Sequence, residues 1–226
     1  MKYLIVNADD FGASRGINRA IVELCERGVV TSASLMIMMP AADEAAALAR
    51  DMPRLGVGLH VALTDEDGVE LVDFDDPERC GEAIAGQVRD FATRVGMLPT
   101  HLDSHRNVHR DPRLTPVFKE IAGRYGLPLR EHCAARYFSN FYGQWDDGLM
   151  HPEWISIENL LRMLESELGD GVTELSCHPG YVGEDFRSSY DREREIEVQT
   201  LADPRLPAFL CANDVRLVNF RHLRNA

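Results

Sequence analysis

Basic residues are scarce in this chain. Twenty-four Lys and Arg stand against 37 Asp and Glu, for a formal net charge of −13 and a pI of about 5. Such a surface repels phosphates, which argues against nucleic acid and anionic membrane as partners and mildly disfavours polyanionic substrates. Cysteine is also sparse. Cys25, Cys80, Cys133, Cys177 and Cys211 are scattered, odd in number and never spaced C-x-x-C. Neither a disulfide framework nor a thiolate zinc site is expected, and a cytoplasmic location is the simplest. No apolar run approaches the roughly 20 residues that span a bilayer, and about four apolar residues before Asp9 are too few for a signal-peptide core. No repeat, low-complexity tract or Gly/Ser/Pro linker divides the chain, so residues 1–226 read as one domain. What remains is an ordinary globular composition, 45% hydrophobic and 27% charged, on a chain long enough to bury a core.

The apolar pattern alternates strand and helix. Tyr3–Asn7, Ala33–Met39, Val57–Val61, His101–Ser104, Leu127–Arg130, Thr173–Cys177 and Val215–Phe220 read as strands. Ser14 and Ser156 are placed to cap helices, and Ile84, Val88, Phe91 and Val95 recur at helical spacing. An acidic loop spans about Thr64–Pro77, and an aromatic loop spans Arg136–Trp154. Buried strands alternating with helices mean a parallel sheet with helices outside. Six or seven such units predict a small or incomplete (β/α) barrel, with a doubly wound open sheet as the alternative. Either architecture binds ligands at the C-terminal ends of its strands.

The polar residues gather at those ends. Asp9 and Asp10 follow strand one, His60 ends strand three, His105 follows strand four, Arg130 ends strand five and His178 follows strand six. Each has a bland reading: an Asx-turn for the acids, a satisfied core histidine for His60. Their joint placement is the signal. Two adjacent carboxylates after a buried strand repel one another, and a cation offsets that cost. One Asp with two His is a ligand set for a catalytic divalent ion that keeps positions open for water and substrate. Zn²⁺ comes first because imidazole supplies most donors, with Mg²⁺, Mn²⁺, Co²⁺ and Ni²⁺ left open. A Cys177–His178 nucleophile pair is disfavoured, because adjacent strand residues face opposite ways.

Asn7-Ala8-Asp9-Asp10-Phe11-Gly12, Gly58-Leu59-His60, His101-Leu102-Asp103-Ser104-His105 and His178-Pro179-Gly180-Tyr181, in that order, resemble the YdjC-like carbohydrate deacetylases over the whole chain. The resemblance implies an α/β fold, a distorted (β/α) barrel of about seven parallel strands, and metal-dependent hydrolysis of an N-acetyl group on an amino sugar. By motif position it implies Asp10, His60 and His105 as metal ligands, Asp9 as general base, His178 as general acid and Arg130 as the residue that orients the base. A backbone N–H near Tyr181 would help to hold the oxyanion. Family members often read His-His-His-Val-His where this chain has His105-Arg106-Asn107-Val108-His109, so Asn107 joins Tyr181 as an expected substrate contact. The rivals are another metal-dependent amidase on the same site and a non-catalytic sugar-binding relative. The expected partner is a small N-acetylated sugar, and a homodimer is left open. The aromatic loop would shape the pocket or a subunit interface, or pack on its own barrel.

Overall fold

Ten consecutive residues, Lys2–Phe11, form β1, and all but the first two are buried. In the computed structural model, which describes residues 1–144, 148–183, 185–186 and 188–224, this strand is the axis of the sheet. One edge pairs in parallel with β6 (Gly171–Cys177), from Lys2↔Gly171 to Ala8↔Cys177. The other edge is shared. β7 (Val215–Leu217) takes Lys2–Leu4, and β2 (Ser32–Leu35) takes the upper part from Asn7 onward. β3 (Gly56–Val61) pairs β2, β4 (Leu102–Ser104) pairs β3, and β5 (Ala135–Phe138) pairs β6 at the far side. Every pairing is parallel, in the order β4-β3-β2-β1-β6-β5 with β7 beside β1. This is a distorted α/β barrel, wedged open at its base by β7.

The helices follow their strands: α1 (Arg15–Glu26), α2 (Ala42–Asp51), α3 (Pro77–Val95), α4 (Thr115–Tyr125), α5 (Ile157–Glu167), α6 (Arg192–Leu201) and α7 (Arg205–Ala212). Local chemistry sets their ends. Ser14 Oγ accepts from Ile17 N at the start of α1, and Ser156 Oγ from Asn159 N at the start of α5. α3 begins with Pro77 behind an Asp76 cap and stops at Gly96, whose φ of 82° few other residues adopt. Ile17, Ile21, Leu24, Phe91, Phe118 and Leu160 face a continuous core against the sheet. No helix among the described residues is long and apolar enough to cross a membrane.

Four strand expectations need correction. Leu127–Arg130 makes only an isolated bridge, Leu129 to Leu102, flanked by Leu102 N→Pro128 O at 2.8 Å and Arg130 N→Leu102 O at 2.9 Å. Pro128 has no N–H to extend it. The real fifth strand, Ala135–Phe138, takes up the start of the segment expected to be the aromatic loop. The second strand stops at Leu35 rather than Met39, and the last at Leu217, with Phe220 opening a short 3-10 turn. Finally, Asp9 and Asp10 lie within β1 rather than after it.

Candidate active site

A regular strand would send Asp9 and Asp10 to opposite faces. β1 avoids this because its register slips between Ala8 and Phe11, and Asp10 adopts φ 65°, a left-handed conformation that Asp tolerates better than most residues. Both side chains therefore line one cavity of about 820 Å³ at the strand C-termini, with His60, Glu66, His105, Asn107, Tyr137, Tyr142, His178, Tyr190 and Arg194. Glu66 comes from the acidic loop. Tyr137 and Tyr142 come from the segment read as the aromatic loop, whose Trp145 lies outside the described residues.

Asp10, His60 and His105 converge. Asp10 Oδ1 lies 3.4 Å from His60 Nε2 and 3.5 Å from His105 Nδ1. These gaps are long for charge-assisted hydrogen bonds, yet they match the edge of a tetrahedral ligand set with bonds of about 2.1 Å, which is about 3.4 Å. The surroundings fit a cation as well. His60 Nδ1 is 2.8 Å from Asp103 Oδ1, the contact that turns the Nε2 lone pair toward the cluster. Burial disfavours charge on His60, but Asp103, Asp10 and Asp9 outweigh it and push its pKa up to about 10. Burial likewise opposes the charge on Asp10, and Arg194, His105 and His60 hold that carboxyl well below the usual range. Asp10 Oδ2 takes an N–H from Arg194 Nη2 at 2.6 Å, while Oδ1 is the oxygen that faces the two histidines. A second trio, Asp9, His60 and Asp103, also offers donor atoms close together. There the charge is already met, because Arg130 lies 2.8 Å from both carboxylates.

Asp9 has different partners. Arg130, fully buried, gives Nη1–H to Asp9 Oδ2 and Nη2–H to Oδ1, each at 2.8 Å, and Nε–H to Glu174 Oε1 at 2.8 Å. Asn7 Nδ2 donates to Asp9 Oδ1 at 2.8 Å. Burial works against the charge on Asp9, and Arg130 outweighs it and lowers the pKa. His178 Nε2 faces Asp9 Oδ2 at 3.8 Å. Burial lowers the His178 pKa against the pull of both acids, and the backbone N–H of His178 donates to Glu197 Oε2 at 2.5 Å. Tyr142 stacks on Tyr190 with centroids 4.4 Å apart, and both rings meet His178 in T-shaped contacts. Cys177 points away, its Sγ donating to Asn7 O, and burial raises its pKa well above the ordinary thiol value.

Of the residues singled out in the sequence, Asp9, Asp10, His60, His105, Asn107, Arg130 and His178 are brought to this cavity or its immediate support. Tyr181 is not. Its N–H donates to Gly16 O, its hydroxyl to Glu23 Oε2, and its ring lies under Arg19. Arg194, Glu197 and Glu174 carry much of the site's charge and were not singled out, whereas Asp103 stood in a quoted motif without an assigned role. One signal was available: Arg192–Leu201 buries Glu193, Arg194 and Glu197, and its sequence offers no apolar stripe to face a sheet.

Residues 3–212 match the family described as YdjC-like protein. A carbohydrate deacetylase of Geobacillus stearothermophilus is 40% identical over 97% of each chain. A candidate cellobiose-phosphate cleavage protein of Enterococcus faecalis superposes with a TM-score of 0.85 at 27% identity, covering 98% of both chains. A family 4 carbohydrate esterase from Streptomyces lividans, solved with acetate, shares the fold at a TM-score of 0.60 and 15% identity, over 96% of this chain and 91% of its own. Family match, near-complete relative and barrel agree: the chain belongs to the YdjC-like protein family.

Proposed function

We propose that this protein is a metal-dependent carbohydrate deacetylase, hydrolysing the N-acetyl amide of an amino sugar to acetate and a free amine. The observation that carries this reading is the division of two adjacent buried carboxylates: Asp10 turns to two histidines and Asp9 to an arginine fork and a third histidine. Asp10, His60 and His105 would hold one divalent cation, with Zn²⁺ favoured by two imidazole nitrogens and by the donor spacing. When bound, the cation would supply Lewis acidity to a carbonyl and acidify a water.

The chain's own groups account for the proton. Asp9, oriented by Arg130, accepts it as water adds to the acetyl carbon. A carboxylate with a lowered pKa is a weak base, which suits it to a water that is already acidic. His178 Nε2, within 3.8 Å of Asp9 Oδ2, delivers a proton to the departing nitrogen as the C–N bond breaks. Its lowered pKa favours giving that proton up. Tyr142, Asn107 and the serines of the cavity wall offer an aromatic face and hydroxyl-matched donors to a sugar.

The test is acetate release from a panel of N-acetylated sugars before and after chelation. Acetate should appear, stop with chelator and return with added Zn²⁺. A sugar bound without acetate release, or turnover indifferent to chelation, would refute the reading.

A further inference from the structure

Amide hydrolysis puts negative charge on the acetyl oxygen, and a site needs donors fixed where that charge develops. The backbone N–H of Tyr181 is spent on Gly16 O at 3.3 Å. Bordering the cavity beside Asp10 is instead Arg194, whose side chain is only 6% exposed. A guanidinium has five N–H groups. Nη2 donates to Asp10 Oδ2 at 2.6 Å, Nη1 donates to the His178 carbonyl at 3.3 Å, and Nε–H has no partner among the described residues. Arg194 therefore reaches both the end of β1 and the end of β6, the two places between which a scissile acetyl group would lie. Asp10 is the carboxylate paired with it. Asp9 belongs to Arg130, and a dication on Asp10 Oδ1 would leave one carboxylate facing two cations. A buried charge in that position favours a further anionic oxygen.

We infer that Arg194 is a catalytic residue that donates to the acetyl oxygen as it becomes an oxyanion and afterwards holds the acetate product. The inference rests on the deacetylase reading. The alternative is that Arg194 only orients Asp10, and the two separate cleanly. Arg194→Met and Arg194→Lys are compared with the wild type for bound metal after dialysis, for sodium acetate binding to the metal-loaded protein by calorimetry, and for kcat and KM. The expected result is wild-type metal content, acetate affinity weakened at least about tenfold, kcat down about 10²–10³-fold and KM within a few-fold. Unchanged acetate affinity would overturn the inference. So would metal lost in step with turnover, which would make Arg194 a positioning residue. If the methionine variant fails to fold, the lysine variant decides. A single ammonium that holds Asp10 cannot also serve the acetyl oxygen, so its acetate affinity and kcat should still fall with metal retained, and wild-type values would sink the idea. Failure of the deacetylase reading looks different: the wild type would release no acetate from any sugar.

Discussion

Asp10→Asn removes the one charged ligand of the proposed cation and should lower metal affinity sharply. Asp9→Asn should keep metal and fold but lose most turnover, because an amide keeps the volume yet cannot accept a proton. Bound metal and acetate release measured side by side decide the matter. Equal metal loss from both variants, or full activity in Asp9→Asn, would be fatal to the assignment. Glu197 makes a second test. Burial pushes its pKa up to about 8, against the Tyr190 hydroxyl and the His178 N–H that favour its charge. Between about pH 4.5 and 8 the folded chain then keeps a proton that the unfolded chain has lost, so stability falls with rising pH through that window, by at most about 1.4 kcal/mol per unit, and levels off above it. Glu197→Gln should remove this slope. Urea titrations at pH 5, 6.5 and 8 should show wild type losing ground to the variant, and parallel curves would contradict the shift. Residues at this scale were legible when their type was out of place. A doubled Asp on a buried strand is conspicuous. Arg194 is not, because one arginine in Arg192-Glu193-Arg194-Glu195 looks like any solvated helix face until the packing buries it.

At the scale of elements, β3 and β4 meet without room to spare. A Cβ on Gly58 would fall 2.2–2.6 Å from the His101 ring atoms, and that ring is stacked on Phe220 with centroids 3.7 Å apart. Gly58→Ala should therefore destabilise by roughly 1–3 kcal/mol through overpacking. Because His101 lies against Asp103, the partner of His60, metal affinity should weaken as well. Gly123→Ala is the control. It sits in α4 with nothing within 4 Å of the added carbon and should stabilise by about 0.4–1 kcal/mol. Urea midpoints for the pair check both signs. The helices were readable because their caps and apolar stripes are local. The fifth strand was not. Leu127–Arg130 has the apolar run but its proline blocks the ladder, whereas Ala135–Phe138 holds two strand-favouring aromatics in a run too short to stand out, and it pairs along the edge of β6.

For the whole molecule, alternation of strand and helix was enough to predict a parallel barrel, but not how it closes, since closure depends on partners far apart in the chain. Between β4 and β5 the ladder gives way to one bridge and to Arg130, which joins Asp9 of β1, Asp103 of β4 and Glu174 of β6 at 2.8 Å each. Charges are shared across this seam where hydrogen-bonded strands would otherwise run. Such a joint opens more readily than a continuous ladder, so amide hydrogens of residues 127–138 should exchange with deuterated water before those of β1 and β6. Equal protection would mean that the seam is as tight as the sheet. The fork that orients Asp9 is the same side chain that bridges the gap. Only the shut population can then turn over, and any ligand that orders the acetyl site should also slow exchange along residues 127–135, a stretch outside the cavity wall.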